Sequence, residues 1–266
     1  MNKFLSYITL LLATSITLTS CSSDDNKGSE EELVGKNTVT LTFDHKMFGQ
    51  EMQFGTAYKA NGNNEEINAD FLKYILSNFQ LINDKGKAFT YPKDSGYFVI
   101  DSETKDYKVV LKDVPAGRYE AIKFGVGVDR EKFLKGQTDQ QEFWDLCKKH
   151  DLTWSWITGY KFINYQGEFK NVDLTKRFSF HIGSHGTSQD NYRDTTIKTT
   201  NKIVVNATTA PNVVINVEVS KMLDSTHKII LKEKPMIMVD AVNAPKIMEN
   251  AITMFSIAKV NAQKSL

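Results

Sequence analysis

Two indoles and an imidazole stand close enough in this chain to share a site. Trp154 and Trp156 lie two residues apart in Leu152-Thr153-Trp154-Ser155-Trp156-Ile157-Thr158-Gly159-Tyr160-Lys161-Phe162, and Phe180-His181-Ile182-Gly183 follows about twenty residues on. If the first segment is a strand, both indoles point to one face, and His181 can share that face. Imidazole there supplies a metal ligand or a proton acceptor. His185, in Ser184-His185-Gly186, is near enough in sequence to join it from a turn. Other chemistries fare poorly. There is no G-x-S-x-G elbow, no H-E-x-x-H and no cysteine pair at zinc spacing, so a binding protein is expected rather than an enzyme. Gly125-Val126-Gly127-Val128-Asp129 lacks the spacing of a phosphate loop and reads as a tight turn closed by Asp129.

The elements that must position these residues read mainly as strands. Val39–Phe43, Tyr97–Asp101, Tyr107–Leu111, Arg118–Phe124, Arg177–Phe180 and Val213–Val219 alternate apolar and polar residues between Gly- and Pro-bearing turns. The expected fold is all-β, an antiparallel β-sandwich in one domain with one or two inserted short helices. Thr138–His150 has helical spacing of Phe143, Leu146 and Cys147. Ala244–Phe255 has a proline in its first turn and Ile247, Ala251 and Met254 on one face. His150 is expected to end the first of these helices, and His227 to face solvent from a turn.

Residues 1–20 carry one lysine, a short apolar core diluted by Ser and Thr, and small residues before Cys21. That is the pattern of a bacterial lipoprotein signal, too short for a comfortable membrane span, with Cys21 as the lipidated residue. Residues 21–36 form an acidic, polar tether, and 37–266 the folded domain. The expected location is the outer membrane, on its periplasmic face or at the cell surface. Without residues 1–20 the formal charge falls from +1 to 0, which argues against nucleic acid. With Cys21 acylated, Cys147 is left alone, and a buried small apolar role is expected of it.

Four blocks in order resemble the MbnP-like family, exported bacterial proteins named for a methanobactin-associated periplasmic copper protein. They are Leu41-Thr42-Phe43-Asp44-His45; Val114-Pro115-Ala116-Gly117-Arg118-Tyr119 running into Phe124-Gly125-Val126-Gly127-Val128-Asp129; Trp154–Phe162; and Phe180–Gly183. Tyr74-Ile75-Leu76-Ser77-Asn78 resembles the family strand between the first two. The resemblance implies a β-sandwich that binds copper through histidines and, in some members, a tryptophan oxidised to kynurenine by a partner di-haem enzyme of the cytochrome c peroxidase type. It nominates His45 and His181 as ligands, with Trp154 or Trp156 as the modified residue. Indole offers a metal no good lone pair, whereas kynurenine carries an aromatic amine and a ketone, and imidazole suits copper. Leu152 stands where the family often has methionine. The competing expectation is a surface lipoprotein that acts as a protein- or glycan-interaction module, with these residues structural and no metal.

Overall fold

The computed structural model describes residues 32–59 and 62–262. The signal segment, Cys21 and the acidic run through Glu31 lie outside the described residues. Fourteen strands are described: β1 (Lys36–Met47), β2 (Gln50–Glu51), β3 (Ala57–Tyr58), β4 (Glu66–Asn83), β5 (Ala88–Thr90), β6 (Tyr97–Asp101), β7 (Lys108–Pro115), β8 (Gly117–Val126), β9 (Ile163–Asn171), β10 (Leu174–Ile182), β11 (Arg193–Val205), β12 (Asn212–Glu218), β13 (Met236–Ile237) and β14 (Phe255–Asn261). Three short helices accompany them: α1 (Arg130–Leu134), α2 (Gln141–Lys149) and α3 (Asn243–Ala251).

One sheet runs β14-β12-β1-β2, with β7 also paired to β1. The other runs β11-β8-β4-β9-β10-β13, and β3, β5 and β6 pair with β4 as well. The 18 residues of β4 make it the spine of this larger sheet: its first half pairs with β9 and its second with β8. Alternation decides which face is buried. In β1 the side chains of Val39, Leu41, Phe43, His45 and Met47 face inward, and in β12 those of Val213, Ile215 and Val217 do. Phe43 and Phe255 from the smaller sheet meet Tyr74 and Phe124 from the larger one edge to face, with centroids 5.1–6.5 Å apart. This aromatic nest closes the sandwich, and such geometry adds about 0.5–1.5 kcal/mol per pair beyond burial.

The all-β sandwich agrees with the sequence reading, but its sheets are mixed rather than wholly antiparallel. β1 pairs in parallel with β12 over Thr40–Lys46, and β10 in parallel with β13. Parallel neighbours need a long crossover, and between β1 and β12 the chain builds all of the larger sheet except β13. The expected helices form, but the second is shorter than expected: α3 ends at Ala251 and Phe255 opens β14. A 3-10 turn (Thr138–Gln140) leads into α2, which buries Trp144 and Cys147 while Leu146 stays exposed. Pro245 sits in the first turn of α3, where its missing N–H costs nothing.

Candidate functional site

Between β8 and β9 the chain leaves the sheet, forms α1 and α2, and returns over the outer face of the larger sheet. Its start is the glycine-rich segment. Gly127, at φ +103°, lets the backbone turn against the Phe162 ring, and Asp129 caps α1 by accepting from the Lys132 N–H at 3.3 Å. Asp129 also accepts from Asn78, Lys93 and Tyr97. Burial alone would raise its carboxyl, but the Tyr97, Asn78 and Lys93 bonds outweigh that and hold it at about 2. The expected turn is therefore a pin joining this excursion to β4 and β6.

Strand pairing sets a row of polar residues under the excursion. Cross-strand partners point the same way, so Asp101 of β6, Lys73 of β4, Asn164 of β9 and His181 of β10 share the outer face. Their partners one step along, Ile100, Tyr74, Ile163 and Ile182, are buried on the inner face. Asp101, Lys73 and Asn164 are buried although they face outward, because the excursion covers them. His150, at the end of α2, bonds Asp101 through Nδ1 at 2.7 Å, and Lys73 reaches Asp101 at 3.5 Å and Glu103 at 2.5 Å. Burial pushes the Asp101 carboxyl up. The bonds from His150 and the Glu103 backbone, with the Lys73 charge, more than reverse it and leave the carboxyl below its usual value. His150 does end the helix as expected, but its ring is spent on Asp101. His227 is half-buried and bonds Glu249 at 2.5 Å rather than facing water alone.

Trp154 lies over this row. Its ring is 5.9 Å from His181, 5.3 Å from His185 and 5.5 Å from Trp156, and Lys161 Nζ stands 6.0 Å from it. The two indoles do not share a face. Residues 155–159 are a run of bends closed by a Thr153–Tyr160 bridge, so Trp154 is 6% exposed and Trp156 61%. The period-two argument fails because the segment is not a strand.

Both imidazoles are neutral at pH 7. Burial lowers His181 to about 4, helped by the Lys161 charge and opposed by Asp151, and burial alone lowers His185. His185 Nε2 and Trp154 Nε1 are buried without a hydrogen-bond partner. His181 Nε2 is held by Gln166 Nε2 at 2.8 Å and Ser179 Oγ at 3.0 Å. Sequence reasoning missed Gln166, Asn164 and Ser179. Their signal was outward polar residues alternating with Ile163, Tyr165, Phe178 and Phe180.

His45 is elsewhere. It is 5% exposed on the inner face of β1, with Nε2 3.1 Å from Tyr74 Oη and the Tyr107 ring 5.0 Å away. Tyr74 belongs to the inner row and His181 to the outer, so the sheet separates these two histidines. Cys147 is buried, and burial pushes its thiol up. Gly183 follows β10, where an added Cβ would collide with the Tyr160 carbonyl oxygen. Gly183→Ala is therefore expected to cost about 1–3 kcal/mol as an overpacking substitution. A wild-type urea midpoint in that variant would show that the Tyr160 backbone is not so close.

The molecule is thus a mixed-sheet β-sandwich carrying a histidine–tryptophan cluster on the outer face of its larger sheet. The chain belongs to the MbnP family, whose sequence profile, described as MbnP, matches residues 36–240. Among solved structures it is similar to MbnP from Methylosinus trichosporium, with 12% identity and a TM-score of 0.43, over 87% of this chain and 99% of that one. Comparison with curated proteins gives no match.

Proposed function

We propose that the protein binds copper in the cell envelope, capturing or buffering it, through His181 and His185, which both pack against Trp154. The observation that carries this reading is the pairing of two neutral imidazoles against one buried indole, with His185 Nε2 lacking any partner. Neutral imidazole nitrogen suits copper, and few other side chains here do. Among the described residues no group of three or more His, Cys, Asp or Glu is placed to hold an ion. Two imidazoles therefore need a third donor, and Trp154 is the residue that both rings approach. Its oxidation to kynurenine by a di-haem partner enzyme with peroxide or dioxygen as oxidant, the Cγ–Cδ1 bond cleaved and Cδ1 released as formate, would leave an aromatic amine where the partnerless Nε1 now lies. His45 is outside this set. Lipidation at Cys21 and outer-membrane residence complete the proposal.

In a Cu(I) chelator competition, His181→Ala and His185→Ala are each expected to lose affinity by about tenfold or more, and His45→Ala by none. Equal losses in all three, or none, would sink the assignment.

The exposed Trp156 and Ile157, beside exposed Leu134, favour a second reading as an interaction module for protein or glycan. Native mass spectrometry of protein from its own host, with peptide mapping across Trp154 and Trp156, separates the two. Bound copper with a kynurenine mass on Trp154 supports the first. A metal-free chain with intact tryptophans supports the second.

A further inference from the structure

The hydrogen bonds around His181 have a direction, and it can be followed from a fixed end. Asp151 offers only acceptors to Asn164: its carboxylate Oδ2 at 3.1 Å and its backbone oxygen at 3.2 Å. Lys161 Nζ, 2.8 Å from Oδ1, holds that carboxylate in place. Asn164, fully buried, must turn its NH2 toward Asp151 and so presents its oxygen to Gln166. Gln166 must then turn its own NH2 inward, 3.0 Å from Asn164 Oδ1 and 2.8 Å from His181 Nε2. Both amide hydrogens are committed, and the one facing His181 requires a bare nitrogen there. Ser179 Oγ, 3.0 Å from the same nitrogen, does not decide the matter, because a hydroxyl donates or accepts as needed.

We propose that Gln166 is the positioning residue of this site: aimed through Asn164 by Asp151, it holds neutral His181 as the Nδ1–H tautomer and masks the Nε2 lone pair. His181 and His185 are then unlike. His185 Nε2 has no partner, whereas Nε2 of His181 becomes available only when Gln166 lets go. The consequence for metal rests on the copper reading above, but the tautomer does not.

The test is nitrogen NMR of the metal-free, histidine-labelled protein at pH 7, with the His181 signals assigned by their loss in His181→Ala. Wild type is expected to show a protonated Nδ1 and a bare Nε2. Gln166→Glu, nearly isosteric, replaces the donor by an acceptor and should move the proton to Nε2. Asp151→Asn, on an exposed side chain, changes one of the two acceptors and leaves the backbone oxygen, so the wild-type tautomer should still dominate. Backbone spectra that match wild type show that the variants fold. Gln166→Leu should bind Cu(I) roughly three- to tenfold more tightly, the range of one neutral hydrogen bond. A wild-type Nε2–H, or a Gln166→Glu protein with the wild-type tautomer, overturns the proposal, and unchanged Cu(I) affinity in Gln166→Leu overturns the masking. Copper that binds none of these proteins would sink the copper reading while the tautomer result stands on its own.

Discussion

Trp154→Ala is expected to lower the unfolding free energy by about 3–5 kcal/mol, the range for truncating a buried tryptophan, whereas Trp156→Ala should cost about 1 kcal/mol or less. Trp154 is 6% exposed and packs against His181 and His185, and the excursion that carries it is tied down by Lys161 N–H to Leu152 O and Leu152 N–H to Cys147 O. Trp156 is 61% exposed, and its ring packs against Trp154. The partnerless Nε1 of Trp154 offsets part of its burial, so the lower end of the range is the safer figure. Urea titrations followed by far-UV circular dichroism avoid relying on the fluorophore being removed. Comparable losses in the two variants would show that the 155–159 bends do not turn Trp156 to solvent.

The second large effect is acid destabilisation centred on His45. Its pKa is about 4 in the folded protein, because burial disfavours the charged ring more than neighbouring Asp44 favours it. In the unfolded chain it titrates near 6.5. Below pH 6.5 the unfolded state therefore takes up a proton that the native state refuses. Stability is full above pH 6.5, falls as pH drops toward 4, and gains no further slope from this group below that. Over the whole window the loss is up to about 3 kcal/mol. His181, lowered for the same reason, adds slope of the same sign, while Asp129, at about 2, acts only at lower pH. Comparing wild type with His45→Asn isolates the His45 share. Parallel stability curves for the two proteins between pH 6.5 and 4 would show that His45 is not buried neutral.

His45 also shows what the sequence could and could not convey. Its burial was legible, because it shares the inward set with Leu41, Phe43 and Met47 at spacing two. That same parity sets it on the inner face, apart from the outward-facing His181 that the resemblance nominates with it. The strands at Val39–Phe43 and Val213–Val217 were readable because each buries one face only, whereas Tyr97–Asp101 is buried on both. The parallel partner of β1 was not readable, since alternation is blind to strand direction. Trp154, His181 and His185 meet as their spacing hinted, His181 from a strand and His185 from beyond its end, but Trp154 comes from a bent loop instead of a strand. Gln166 and Asn164 carry no motif. Only the register of β9 against β10 reveals that they lie beside His181.

That register has a kinetic side. β9 and β10 pair without interruption from Ile163–Ile182 to Asn171–Leu174, whereas the long pairings of β4 and β8 are broken by bulges. The hairpin joins near neighbours in the chain. Thr42 and Asn212, by contrast, sit 170 residues apart, so the smaller sheet cannot be completed until β12 has been reached. Short loops close at less entropic cost than long ones. The row of side chains beneath Trp154 is thus expected to belong to the folding nucleus, and the seam between β1 and β12 to the last barrier crossed. Substitutions in the hairpin should slow refolding, and those along the seam should mainly hasten unfolding.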